Sequence, residues 1–353
     1  SGGIDLSAIL LDNVRRIEVV RGPYSALYGG NAMGGVIQVL TKMPTQREFQ
    51  GRIEGGFGDV ASSAASLVYR DRLASGLAWS IAAGYRASDG WRDSDYVVKT
   101  PTSGTATVPV AGALGTTTTD NRAAAWLGLK GERPWDQRNA ELKLFQDMGE
   151  AGRATINLAF AGYRVGYRPP VSFLSTAGGA PVMSGSIATG LAGIGRIALT
   201  ESDFLTLTPS EERDWRGSLH WERDLQGGAR WEASIGHMNH NFRFTQPAAG
   251  ASYQAGAGEW SDQPNQRTDT EFHVRWPVGT QVFVTVGAAL NHQHLDRRTL
   301  ASSNWREFNG VYAENSRGSG TGSIAAVFLL FAVQPFDALT LDVCARIDRF
   351  ATR

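Results

Sequence analysis

The chain has 353 residues with 34 basic and 34 acidic side chains interspersed, a formal net charge of zero, so no nucleic-acid surface is expected. Glycine, at 42 residues, exceeds its usual share of about 7%, but 42% hydrophobic residues and ten tryptophans exclude disorder. A single cysteine, Cys344, excludes an internal disulfide framework, and there is no CxxC or Cys/His spacing of the kind that holds zinc.

The chain opens on Ser1 with no basic n-region or cleavage site, so any targeting segment is expected outside this sequence. The first informative stretch is RIEVVRGPYSALYGGNAMGGVIQVLTK, Arg16 to Lys42. Arg16 to Val20 and Val36 to Lys42 read as short buried strands. Between them Pro23 opens a single helical turn over SALY, Gly29 and Gly30 end it with positive φ, and Gly34 and Gly35 permit close backbone approach. GGNAMGG lacks the Lys-Ser/Thr of a phosphate-binding loop, and Ser25 lacks the framing of a nucleophile elbow.

From Phe49 onward the period is two. Leu77, Trp79, Ile81, Ala83 and Tyr85 alternate with small residues and Arg86, and Thr270, Phe272, Val274 and Trp276 alternate with Asp269, Glu271, His273 and Arg275. The predicted strands are Phe49–Phe57, Ala61–Arg70, Gly76–Ser88, Asn121–Gly131, Arg138–Asp147, Arg213–Leu225, Ala229–Phe244, Arg267–Trp276, Gln281–Leu295, Ser323–Gln334 and Ala338–Phe350. Short turns at DRLAS, ERPWDQ, QGG, PVGT and PFD alternate with long connections, Asp89–Asp120, Met148–Glu212, Thr245–Asp262 and Asp296–Gly322. Short turns at one rim, long loops at the other and aromatic residues near strand ends describe a transmembrane antiparallel β-barrel. The longest apolar run, Ile324–Val333, is too short for a membrane helix and long enough for a tilted spanning strand. A soluble sandwich is the competing all-β reading.

IEVVRGPYSALYG, Ile17 to Gly29, followed by GGVIQVLTK, Gly34 to Lys42, resembles the end of the plug domain of TonB-dependent outer-membrane receptors. The plug motif falls on Glu18, Arg21, Gly22, Pro23, Tyr28, Gly29, Gly34 and Gly35. The resemblance implies an all-β fold, a 22-stranded barrel filled by an N-terminal plug. The chain then reads as a fragment, residues 1–43 being the last part of the plug and 44–353 about half of the barrel. It further implies transport rather than catalysis, in the outer membrane of a Gram-negative bacterium, with TonB supplying the driving force through a segment outside this chain. An iron-siderophore is the first expected ligand, with cobalamin, heme or a glycan behind it. No cofactor, metal or nucleic acid is implied, and the lipid bilayer is a partner.

The same resemblance makes Arg21 a plug-locking arginine, with inward-parity acids of the wall as its partners, Glu232 and Glu271 ahead of Glu222 and Glu54. His292 and His294 continue the outward series from Val282 and are expected at the outer interface or above it, which argues against a metal site there. His240, Phe242 and Phe244 share inward parity near the long-loop rim and, with Trp91 and Tyr253 in the loops, are the expected ligand contacts.

Overall fold

The computed structural model describes residues 9–21, 35–58, 61–90, 96–205, 209–248, 251–308, 311–336 and 339–352. The strands in chain order are β1 (Val14–Arg21), β2 (Gly35–Thr41), β3 (Glu48–Gly56), β4 (Ser62–Arg72), β5 (Leu77–Ser88), β6 (Tyr96–Lys99), β7 (Val108–Pro109), β8 (Leu114–Thr117), β9 (Ala123–Leu129) and β10 (Trp135–Asp147). They continue with β11 (Arg153–Val165), β12 (Val171–Ser172), β13 (Gly185–Ala188), β14 (Arg196–Leu199), β15 (Ser210–Asp224), β16 (Arg230–Pro247), β17 (Gly258–Val278), β18 (Val282–Ser302), β19 (Val311–Phe336) and β20 (Leu339–Thr352). Among the described residues no helix is long and apolar enough to cross a membrane, and the helical turns there are short 3-10 segments.

Eleven strands form one antiparallel sheet in the order β20-β19-β18-β17-β16-β15-β11-β10-β5-β4-β3, the wall of a barrel. Its register keeps one parity inward from strand to strand. Glu222 lies opposite Glu232, Glu232 opposite His273, and His273 opposite Gly287. The other parity is apolar and exposed, as at Ile81, Leu158, Ile235, Phe272, Leu290, Val327 and Ile347. A sandwich would bury that face, whereas a barrel wall offers it to lipid.

β18 marks the height of the lipid band. Its outward residues run Val282, Val284, Val286, Ala288 and Leu290, then change to His292, His294, Asp296 and Arg298. Nine residues from Val282 to Leu290 match the 9–11 that a tilted strand needs to span a bilayer. Above that level, outward charges are neutralised in pairs, Arg243 with Asp262 at 2.9 Å and Asp296 with both Arg298 and Arg317 at 3.1 and 2.8 Å. His292 and His294 sit at this changeover, the ring Nδ1 of His292 2.8 Å from Ser323 Oγ. β17, β18 and β19, at 21, 21 and 26 residues, therefore rise well beyond the membrane.

The expected wall needs two corrections, one strand removed and one added. Asn121–Gly131 is not in the wall: its core, β9, pairs with β6, β8 and β12 in a separate small sheet. Its sequence AAAWLGL is apolar at successive positions and is largely buried, which fits a strand covered on both faces and not one with a wet side. The missing wall strand is β11, RATINLAFAGYRV, inside the stretch read as one glycine-rich loop. The short turn therefore lies at Met148–Gly152, where Met148 N–H donates to Gly152 O, and not at ERPWDQ.

The two longest connections are not featureless loops either. β6, β8, β9 and β12 form one small sheet, and β7, β13 and β14 a second. Val97, Leu127, Leu174, Ile187, Ile197 and Phe204 close a shared apolar core. Arg168 ties the two connections at their base, donating to Glu132 Oε2 at 2.6 Å and Asp89 Oδ1 at 2.7 Å.

β1 and β2 form a separate two-stranded sheet with Ile17 opposite Val39 and Arg21 opposite Gly35. These strands were expected to be buried, yet Ile17, Val19 and Ile37 are exposed, because a two-stranded sheet has no second layer of its own. Gly35 has φ +140°, and a Cβ there would lie 2.6 Å from Val20 O, so the close approach expected of it is real.

Candidate functional site

The inner sheet meets the wall through the 3-10 turn Leu11–Asn13 that precedes β1. Asn13 is fully buried; its Nδ2 donates to Glu141 Oε2 on β10 at 3.1 Å, and its backbone O accepts from Lys42 N–H at 2.8 Å. Arg70 on β4, only 1% exposed, donates through Nη2 to Asn13 Oδ1 at 3.0 Å and Asp12 O at 3.2 Å, while Nη1 lies 3.1 Å from Glu48 Oε2. Asp12 also accepts from Ser66 Oγ at 2.5 Å and faces Arg52 at 3.6 Å. At the same end of the sheet, where Thr41 pairs with Val14, Lys143 Nζ donates to Thr41 Oγ1 at 2.7 Å. A buried guanidinium must be matched by acceptors, and here those acceptors belong to the turn that carries the inner sheet. Beside this seam a cavity of about 490 Å³ opens between Val39 and Thr41 of β2 and Glu141, Arg216, Met238 and Arg267 of the wall.

At the long-connection rim three segments are clasped around Trp305, which is fully buried. Its Nε1 donates to Ser252 O at 3.1 Å and its N–H to Gly256 O at 3.0 Å. The Tyr167 ring meets the Trp305 ring edge-on at 5.0 Å, and Arg306 lies over the opposite partner, its guanidinium 5.0 Å from the Tyr167 ring centre. Tyr167 donates to Tyr253 O at 3.3 Å, and burial pushes its phenol up to about 12 against the opposing charge of Arg306.

The expected site residues fall as follows. Glu18 pairs with Arg16 at 2.6 Å within β1. Arg21 ends β1 and is exposed; among the described residues no ion pair joins it to Glu232 or Glu271. Glu232 instead faces Arg230, His220 and His273, and Glu271 faces His273. Glu222 is held by Arg153 and Arg230, and Glu54 by Arg52. His240, Phe242 and Phe244 form an inward column on β16, with His240 Nδ1 2.7 Å from Asp214 Oδ1 and the two phenyl rings 5.3 Å apart. Tyr253 belongs to the Trp305 clasp. Trp91, Gly22, Pro23, Tyr28, Gly29 and Gly34 lie outside the described residues. Arg70, Asp12, Asn13, Glu141 and Lys143 were not foreseen; inward parity on β4 and β10 was the only signal available for the charged members.

Residues 1–36 match the family model of the TonB-dependent receptor plug domain. Over 95 residues, 27% of this chain and 16% of the relative, the sequence is 32% identical to the vitamin B12 transporter BtuB of Vibrio vulnificus (strain CMCP6). The structure is similar to the ferripyoverdine receptor of the outer membrane of Pseudomonas aeruginosa bound to ferripyoverdine, with a TM-score of 0.62 and 11% identity, covering 97% of this chain and 42% of that one. It is similar to the unliganded ferric citrate transporter FecA with a TM-score of 0.64 and 10% identity, covering 98% of this chain and 44% of that one. At such identities the likeness is one of fold. The chain spans less than half the length of these receptors.

Proposed function

We propose, for a chain that carries the plug signature and the barrel wall of a TonB-dependent receptor, that it serves in active transport of a scarce nutrient complex across the outer membrane. Residues 1–43 are then the last part of the plug, and 44–353 about half of the wall around it. The observation that carries this reading is the seam: a separate sheet is bound to the inward face of the wall by hydrogen bonds and one buried arginine, and among the described residues no apolar side chain of that sheet is buried. A contact of that kind can be exchanged for water when the sheet is pulled, whereas an apolar core resists such separation.

The cargo proposed is an iron-siderophore, as in the ferripyoverdine and ferric citrate neighbours, with cobalamin as the alternative because the curated relative transports vitamin B12. The ligand would sit at the long-connection rim, near the His240, Phe242, Phe244 column and Tyr253. Arg21 is kept as the proposed plug-locking arginine, and TonB as the partner that supplies the force.

The test is uptake of radiolabelled ferric siderophores and of cyanocobalamin by cells expressing the full-length receptor, with and without TonB. TonB-dependent uptake of an iron complex supports the reading, and uptake of cobalamin alone moves the substrate to the alternative. Uptake that persists without TonB overturns it, as does the absence of binding to every complex tried.

A further inference from the structure

On the inward face of the wall, close to the short-turn rim, two histidines from different strands converge on one carboxylate. Glu232 on β16 lies opposite Glu222 on β15 and His273 on β17. Its Oε2 is 3.8 Å from His220 Nε2 and 3.7 Å from His273 Nε2, while its Oε1 is 3.4 Å from Arg230 Nε. His220 Nε2 is also 3.7 Å from Glu222 Oε2, and the ligand atoms of His220, Glu222 and Glu232 all lie within 4.8 Å of one another. We propose that His220, Glu232 and His273 bind a divalent transition-metal ion, zinc by preference, a site unrelated to the cargo.

Three features support this beyond proximity. Metal–ligand bonds of about 2.0–2.1 Å in a tetrahedron place donor atoms roughly 3.4 Å apart, and each histidine Nε2 stands close to that distance from Glu232 Oε2, at 3.8 and 3.7 Å. Second, His273 Nδ1 lies 3.2 Å from Glu271 Oε1. With Nδ1–H donating a hydrogen bond to that carboxylate, the lone pair is on Nε2 and faces Glu232, the arrangement that orients and strengthens a metal-binding imidazole. Third, the ion-paired group holds four carboxylates, Glu222, Asp224, Glu232 and Glu271, against two guanidiniums, Arg153 and Arg230. The carboxylates outnumber the guanidiniums, so the cluster carries an excess of negative charge that favours a cation. The neighbouring Arg275 is turned onto the Phe283 ring, 4.3 Å from its centre. Arg153 and Arg230 engage Glu222, which leaves it as a shield and Glu232 Oε2 as the carboxylate donor. Two nitrogens and one oxygen leave a position for water and favour zinc over calcium or magnesium.

The experiment is titration of the full-length receptor, purified in detergent and stripped with chelator, with Zn²⁺ by calorimetry and with Co²⁺ by visible absorption. The site predicts tight Zn²⁺ binding and a tetrahedral Co²⁺ spectrum. His220→Ala and His273→Ala should each weaken binding at least about tenfold, and Glu271→Gln about 10- to 100-fold. The outward pair His292→Ala and His294→Ala should change nothing. Circular dichroism verifies the strands in each variant, and if the histidine variants fail to fold, Glu271→Gln, which keeps every ligand, decides. No Zn²⁺ uptake, uptake lost with the outward pair, or folded His220 and His273 variants that bind as the parent does would overturn the site.

Discussion

Leu10 lies against Gly84 on β5, its Cδ2 occupying the space that a Cβ there would fill. This is the apolar counterpart of the polar seam, and it requires the one residue without a side chain. Gly84→Val should therefore displace Leu10 and loosen the turn that carries β1, at a cost of about 1–3 kcal/mol for an overpacked contact. Hydrogen exchange of β1 and β2 should quicken about tenfold or more while the wall strands keep their protection. Unchanged exchange in the inner sheet would show that the contact does not hold it.

Arg70 and Arg21 make opposed claims on plug retention. Arg70 is buried and bonded to Asp12 and Asn13, whereas Arg21 is exposed at the end of β1. Arg70→Met leaves the buried acceptors Asn13 Oδ1 and Asp12 O without their donor and should cost about 1–3 kcal/mol. Protection of β1 and β2 should fall accordingly, and Arg21→Ala should have the smaller effect. The reverse order would assign the lock to Arg21.

How far the sequence carried these conclusions depends on the range of the interaction. The outward series Val282 to Leu290 was legible because a lipid-facing strand must alternate, and β18 carries that series on one face up to His292 and His294. β9 was misplaced because a strand covered on both faces loses that alternation. β11 was missed inside a glycine-rich stretch, although Ile156, Leu158 and Phe160 do alternate with Thr155, Asn157 and Ala159. The bond from Arg70 to Asn13 joins residues 57 apart and leaves no local trace. Parity alone could place Glu232 inward, but it could not choose His220 and His273 over Arg21 as its neighbours.

Trp305 organises the long-connection rim, since the segment 251–257 meets its N–H groups and Tyr167 meets its ring. Trp305→Ala should open the segment 251–257 and release Tyr167, with a loss of about 3–5 kcal/mol expected for a buried aromatic. Limited proteolysis should then cut within 251–257, in a receptor whose wall stays intact by circular dichroism. A cleavage pattern identical to the parent's would mean that the loops are held by other contacts.

The same clasp should be visible on alkaline titration. Tyr167, raised to about 12 by burial, prefers its protonated form in the folded state. The stability it contributes is complete below the unfolded value of about 10 and is lost as pH rises from there through about 12. Phenolate absorbance should show one late-titrating tyrosine that Tyr167→Phe removes. If the variant leaves the late phase in place, another phenol is the protected one.

Acid should act on the module of the two longest connections through Asp203. Burial works to raise its carboxyl, but the ammonium of Lys99 at 2.7 Å and the N–H and hydroxyl of Thr200 outweigh it and hold the group below the usual carboxylate range. A depressed folded value means the stabilisation is present above the unfolded value of about 4 and disappears as pH falls through the folded one. The Lys99 pair joins β6 to the turn Glu201–Phe204, so its loss frees Phe204 from the apolar core. Asp203→Asn should remove about 1 kcal/mol, roughly fivefold in local opening, at neutral pH. It should also flatten the acid dependence of exchange in β13 and β14. An acid dependence that survives the substitution would assign the effect to a different carboxylate.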